Sequence, residues 1–265
     1  MRKLQQKIVI TMLLIILLVV TIVMFEIGNK ENNITPPLSN VSDYKEESHK
    51  EITDISEKLL PNAKFHCEED GTELEYNTLS VFSGAPNYGK IIRKYLFKKE
   101  RINGSNFCVI NINSTGDIGT ISSTLKKIYI EETTGKIKIA EDYKNGQKYL
   151  LKDDIASVAV DLLSSYSNTP YAYWMLSLDK NFKWKANIYK PEYKQNLSME
   201  FNTLGLEKEQ NRMCFKVKVS IIVNVNEEKS IKMSSLLWID KEKRILIKGR
   251  LYLDNTPFVE TIKIK

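Results

Sequence analysis

The chain has 265 residues, enough for one large domain or two small ones. It carries 39 Lys and Arg against 33 Asp and Glu, a net charge of +6, and only two histidines. Three of the positive charges (Arg2, Lys3 and Lys7) sit at one end and no dense basic run follows, which argues against a nucleic-acid partner.

Residues 8 to 25 read IVITMLLIILLVVTIVMF, with only Thr11 and Thr21 as polar interruptions. At about 1.5 Å per residue such a helix covers about 27 Å, close to the about 30 Å of a bilayer core. The run is longer than the about 7–15 apolar residues of a cleaved signal peptide, and no small-x-small site follows it. A lipoprotein would need a cysteine directly after the run, and the first cysteine is Cys67. The sequence therefore predicts an uncleaved signal anchor, a transmembrane helix set in the lipid bilayer over 8–27, behind a tip at 1–7. Lys and Arg prefer the cytoplasmic side. The expected localisation is thus the cell membrane, single-pass, with a cytoplasmic N-terminus and an extracytoplasmic C-terminal domain. Residues 28–42, GNKENNITPPLSNVS, are polar with a Pro-Pro pair and read as a linker.

A first helix is expected from Asp43 to Leu60, where Ile52, Ile55 and Leu59 recur at helical spacing and Pro61 ends the run. From Lys64 to Leu150 the pattern turns to strands: LEYNTLSVF, IIRKYLF, FCVINI, KKIYIEE and KIKIAEDY. A TTGK turn joins the last two, and Asn145-Gly146 is a hairpin signal after them. A second helix is expected over 153–166, with Ile155, Val158, Leu162 and Tyr166 as its stripe and Asp153 and Asp154 at the positive end of its dipole. Beyond it FKWKANI alternates, and MCFKVKVSIIVNV puts Met213, Phe215, Val217, Val219, Ile221, Val223 and Val225 on one face. SIKMSSLLWID, RILIKGRLYLD and FVETIKIK complete an antiparallel meander.

Two stretches of the chain read alike. With Ile130 aligned to Ile239, Tyr143 meets Tyr252, Asn145-Gly146 meets Asp254-Asn255, and Tyr149-Leu150 meets Phe258-Val259. The expected fold class is α+β: antiparallel, curved sheet with one helix per half, the first half over 43–151 and the second over 152–265, preceded by the transmembrane helix. Cys108 and Cys214 each stand at a strand start and form a candidate disulfide. Their phases differ, however: Cys108 is in step with Ile110 and Ile112, Cys214 with Lys216 and Lys218. Either a bulge separates the halves or the match is accidental. The other reading is that all three cysteines stay unpaired.

Trp238-Ile239-Asp240-Lys241-Glu242, followed by ILIKGRLYLDN and VETIKI, resembles the LolA-like lipoprotein-carrier superfamily, in which a W-x-D-K-x turn joins two late strands. Tyr129-Ile130-Glu131-Glu132-Thr133-Thr134-Gly135 resembles the same turn with Tyr in place of Trp. The resemblance implies a strongly curved antiparallel sheet whose concave face takes an apolar ligand or a partner segment.

Groups for catalysis are scarce. His49 and His66 are the only histidines, and His66-Cys67-Glu68-Glu69-Asp70-Gly71 is the one concentration of metal-ligand types. Adjacent residues on a strand face opposite ways, so that stretch reads as a polar turn and no metal is expected. Nucleophile elbow, Walker loop and dinucleotide glycine pattern are all absent, and no cofactor is expected. The paired carboxylates Glu131/Glu132 and Asp153/Asp154 fall in a turn and at a helix start, where solvation explains them. Tyr171, Tyr173 and Trp174 read as core packing, with a ligand surface as the alternative. The expected function is a membrane-anchored extracytoplasmic binding protein that uses a β-sheet surface for an envelope partner protein, a peptide or an apolar ligand, with no catalytic residue. The alternatives are an envelope enzyme acting on wall or lipid through carboxylates, and a structural subunit of an envelope complex.

Overall fold

The computed structural model describes residues 53–54, 59–80, 90–116, 125–144, 147–153, 157, 160, 168–190, 195–224, 230–253 and 255–265. All of them belong to the unit Glu51–Lys265. Thirteen strands follow one another: β1 Thr53–Asp54, β2 Glu73–Ser80, β3 Lys90–Ile102, β4 Ser105–Gly116, β5 Leu125–Glu131, β6 Ile137–Lys144, β7 Gln147–Lys152, β8 Lys183–Lys190, β9 Gln195–Glu209, β10 Arg212–Asn224, β11 Ser230–Asp240, β12 Leu246–Leu253 and β13 Thr256–Lys263. They form a single sheet in the order β1-β8-β9-β10-β11-β12-β13-β2-β3-β4-β5-β6-β7, with antiparallel neighbours throughout. β2 to β7 and β8 to β13 are therefore two meanders, joined where Thr261 of β13 pairs with Thr78 of β2.

Period-two patterning builds these strands. Along β10, Phe215, Val217, Val219, Ile221 and Val223 are buried, while Met213 at the strand start is exposed. On β3, Ile91, Tyr95 and Phe97 turn inward, and Lys94 between them bridges to Glu73 and Glu75 of β2 at 3.0 and 3.5 Å. The tight hairpins need backbone that twists with the strands. Asn103 and Gly104 (φ 49° and 85°) join β3 to β4, and Gln210 and Asn211 (φ 49° and 62°) join β9 to β10. Positive φ at both central residues is the type I′ geometry that suits the right-handed twist of antiparallel pairs.

The two meanders share their turn geometry in detail. In the first, Ile130 pairs with Cys108 and Ile137, and a bulge follows between Tyr129 and Ile130. In the second, Ile239 pairs with Phe215 and Leu246, and a bulge lies between Trp238 and Ile239. The amide of Gly135 donates to Glu131 at 2.8 Å, and that of Arg244 to Asp240 at 3.0 Å. The Glu132 and Lys241 amides donate to Asn106 and Met213 at 3.0 and 2.9 Å. These registers resolve the cysteine phase problem. Cys108 stands where the second meander has Phe215, one residue away from Cys214, so the match of cysteines is accidental.

The α+β expectation is corrected to an antiparallel all-β architecture. Thr53 and Asp54, inside the stretch expected to be the first helix, pair instead with Tyr189 and Ile188. Ile, Thr and Asp at mixed spacing carry too little helical preference to resist a sheet edge that leaves amides unpaired. The rest of 43–58 lies outside the described residues. Of the second expected helix, Ser157 and Val160 are described within 154–166 and are helical. No helix among the described residues reaches seven residues. The transmembrane signal anchor and the single-pass membrane localisation are corrected too. No helix among the described residues is long and apolar enough to cross a membrane, because the described chain satisfies its backbone by pairing between strands. The stretch 8–27 itself lies outside the described residues.

Candidate functional site

The inner face of the sheet is filled at one end by the chain itself. Residues 168–178, with a 3-10 turn over Tyr173–Ser177, cross this face almost wholly buried. Trp174 is 0 % exposed and packs on Phe201 and Phe182, with ring centroids 4.8 and 6.4 Å away. A buried loop must place its backbone groups, and this one does. Tyr95 donates its hydroxyl to the Asn168 carbonyl at 2.9 Å, and the Leu246 amide donates to Pro170 at 2.8 Å. The Asn62 and Ala63 amides both donate to Leu176 at 3.1 Å, and Arg244 donates to Leu178 at 2.8 Å. Tyr171 donates to the Gly135 carbonyl at 2.7 Å. Both meander turns, at Gly135 and at Arg244, thus hold the same crossing segment.

The opposite face carries a ladder of charges laid over aromatic rings. Trp238 is 4 % exposed, covered by the ammonium groups of Lys216 and Lys248, each 5.3 Å from its ring centre. Its Nε1 donates to Glu207 at 3.2 Å, and the Lys216 ammonium 2.7 Å from Glu207 holds that carboxyl below the usual carboxylate range. Lys248 reaches Glu209 at 3.2 Å and Glu260 at 3.7 Å. In the first meander Lys127 lies 4.6 Å over the Tyr129 ring and 3.3 Å from Glu100. Each such surface pair contributes about 0–1 kcal/mol. Together they set the register of neighbouring strands and cover rings that would otherwise be wet.

Asp240 opens the second meander's turn. Burial works against its charge, but the Lys243 and Glu242 amides at 2.9 and 2.8 Å and the Arg212 guanidinium at 2.9 Å outweigh that and hold its carboxyl below the ordinary value. A depressed carboxylate stabilises the fold fully above its unfolded pKa of about 4, and the contribution is lost as pH falls through the lower folded pKa. Asp240→Asn is therefore expected to lower stability at pH 7 and to make its acid dependence shallower below about pH 4. Urea unfolding followed across pH checks this. An acid limb with the wild-type slope would disprove the role.

The residues singled out in the sequence are dispersed. Cys108 is bonded to Cys67, with Cα atoms 5.6 Å apart, and not to Cys214, which is a free thiol buried on the other face of β10. Cys67 lies in the segment that Asp70 and Gly71 dock on β3, through the Lys99 amide and the Phe97 carbonyl, and this sets it beside Cys108, the partner of Lys99. His66 is exposed, and Glu68 binds Lys243 at 2.6 Å, so this stretch converges on no centre. Among the described residues no three of His, Cys, Asp and Glu gather as metal ligands. Glu131 accepts from the Thr134 hydroxyl at 2.6 Å within its own turn. Tyr171 and Trp174 are core residues, as expected, and Tyr173 between them is half-buried.

The site that sequence reasoning missed is an edge. β9, read from neither periodicity nor turn signals, is the central partner of β8 and β10, and on its far side β8 carries β1, the edge strand of the sheet. Among the described residues, β8 is met on that side only by Thr53 and Asp54, at Tyr189 and Ile188.

No family model and no curated protein matches the chain. Solved structures do. A Bacteroides fragilis protein described as exported and of YmcC-like fold shares 11% identity over 76% of this chain and 97% of its own, with a TM-score of 0.39. A Parabacteroides distasonis protein described as a lipoprotein shares 14% over 76% of this chain and 98% of its own, at 0.42. The hypothetical lipoprotein YmcC of Escherichia coli shares 14% over 70% of this chain and 92% of its own, at 0.29. None of these neighbours is named as a member of the LolA-like superfamily. A likeness of this degree carries no argument about activity.

Proposed function

We propose that the protein is an exported, extracytoplasmic binding protein that takes a partner protein or peptide on its sheet. The observation that carries the compartment is the Cys67–Cys108 disulfide, which needs an oxidising environment to persist. A binding role is supported by the extended antiparallel sheet, whose surface suits a partner strand or protein face. Occupation of the inner face by Trp174, Met175 and Leu176 favours a peptide or protein over an apolar ligand lodged there. Lipid attachment at Cys67 does not fit, since its sulfur is bonded to Cys108.

The test is alkylation of the protein recovered from its own cells, followed by mass measurement with and without reductant. One disulfide and one alkylation-resistant thiol are expected in the native protein. Burial, with the Asp240 carboxylate second, pushes the Cys214 thiol up to about 11, so it reacts only after unfolding. Three free thiols in freshly recovered protein, or recovery in the cytosolic fraction, would overturn the reading.

A further inference from the structure

Separate parts of the chain bring charged side chains together at one end of the sheet. Arg212 opens β10 and reaches Asp240, at the end of β11, at 2.9 Å. Lys243, in the turn that follows, reaches Glu68 of the segment that carries Cys67 at 2.6 Å. The Gln210 side chain, from the β9–β10 hairpin, donates to the Lys263 carbonyl at 2.8 Å and ties the last residue of β13 to the same place. The Lys241 amide, donating to Met213 at 2.9 Å, fixes the turn against the hairpin. Each of these contacts joins separate elements, so the cluster is made by folding and not by any local run of basic residues.

Its charges do not balance. Arg212, Lys243 and Lys263 face the two carboxylates of Asp240 and Glu68. Arg212 and Lys243 each hold one of these, whereas Lys263 makes no ion pair among the described residues. Lys263 is half-buried next to Tyr76, its partner on β2. Burial first, then the Arg212 and Lys243 charges, hold its ammonium below the ordinary lysine value, and those two cations outweigh the Glu68 and Asp240 carboxylates there. A partly desolvated ammonium beside like charges is unfavourable until an anion offsets it. The place is open to one, since the Arg212 and Lys243 side chains are 41% and 42% exposed.

Hydrogen-bonding capacity indicates which anion. A guanidinium carries five donors and an ammonium three. Such a surplus around two carboxylates suits an anion with several oxygens and more than one charge. A phosphate group, at about −1.5 to −2 near pH 7, meets both conditions better than a single carboxylate.

We propose that this end of the sheet, between Arg212, Lys243 and Lys263, binds the phosphate group of a small soluble ligand. The site is distinct from the sheet surface assigned to a partner protein or peptide and does not depend on it.

The experiment titrates the full, 15N-labelled chain with inorganic phosphate, replacing chloride at constant ionic strength, and follows the backbone amides by NMR. Saturable shifts are expected at Gln210, Arg212, Lys243 and Lys263. Lys263→Gln should weaken binding about ten-fold. Lys218→Gln, at an exposed position elsewhere on β10, should leave it unchanged. No saturable shift in the wild type would overturn the proposal, whatever the variants do. Equal affinity in Lys263→Gln would mean a general effect of the salt and overturn it too. Acetate binding as tightly as phosphate would refute the choice of anion. Retention on phosphatidylglycerol vesicles without a response to inorganic phosphate would place the group in a lipid headgroup and exclude a soluble ligand. None of these outcomes touches the Cys67–Cys108 bond or the compartment, so the two readings fail separately.

Discussion

Replacing Gly135 by alanine is expected to cost about 2–5 kcal/mol of unfolding free energy, of which about 1–2 comes from backbone conformation and about 1–3 from overpacking. Gly135 has φ +71°, in the left-handed region. A Cβ there would lie 2.5 Å from Leu176 Cδ1, 2.9 Å from Phe65 Cβ and 3.0 Å from the Tyr171 hydroxyl. Those neighbours are the buried crossing segment and the chain that covers it, so none can yield alone. The matched turn argues that the crowding matters more than the backbone, since Arg244 holds the same place with φ 57° and a full side chain. Gly104→Ala is the control: φ is +85°, and nothing lies within 4 Å of the added Cβ. It should lose only about 1 kcal/mol. Urea denaturation followed by tryptophan fluorescence compares the two. Equal losses would refute the account of Gly135 as the seat of the crossing segment.

The second large effect is loss of the disulfide. Cys67 and Cys108 are 41 residues apart in sequence. Closing a loop of that size restricts the unfolded chain by about 4 kcal/mol at 25 °C in the chain-entropy account. The Cys67→Ala/Cys108→Ala variant should therefore unfold with a midpoint lowered by that amount, divided by its m-value. Hydrogen exchange should also rise at Asn62 and Ala63, whose amides bond Leu176, because their segment loses its covalent tie to β4. A double variant within about 1 kcal/mol of the wild type would show that docking through Asp70, Gly71 and Glu68 suffices without the bond.

Local pattern carried much of this architecture. The alternation in FKWKANI and MCFKVKVSIIVNV lies on β8 and β10, and the charged turns at 131–136 and 240–245 fall between strands as read. β9 escaped because Gly205 interrupts it at a register shift, between Gly205 and Thr203, and because Glu207, Lys208 and Glu209 look like a solvated loop. On the sheet, Glu207 and Glu209 are the partners of Lys216 and Lys248, which no local window contains. The helical reading failed at Thr53 and Asp54 for a related reason: three apolar residues at the spacing of Ile52, Ile55 and Leu59 serve a helix or a strand edge, and pairing with Tyr189 and Ile188 chose. Which cysteine pairs with Cys108 depends on where the 62–72 segment docks. Which strand stands at the edge of the sheet depends on the full pairing order. Both are non-local, so the disulfide and the candidate site were the parts least available to reading along the chain.

The union of β13 with β2 has a consequence for how the protein is made. The Thr78 and Thr261 hydroxyls lie 3.0 Å apart across 183 residues of chain. Synthesis proceeds from the N-terminus, so β2 must wait for almost the whole remaining polypeptide before its second neighbour arrives. During that interval its flank is bare and adhesive to any other nascent strand. A helper that shields β2 until the late partner emerges would raise the yield of folded protein, and co-translational aggregation should rise steeply in chains truncated before residue 256.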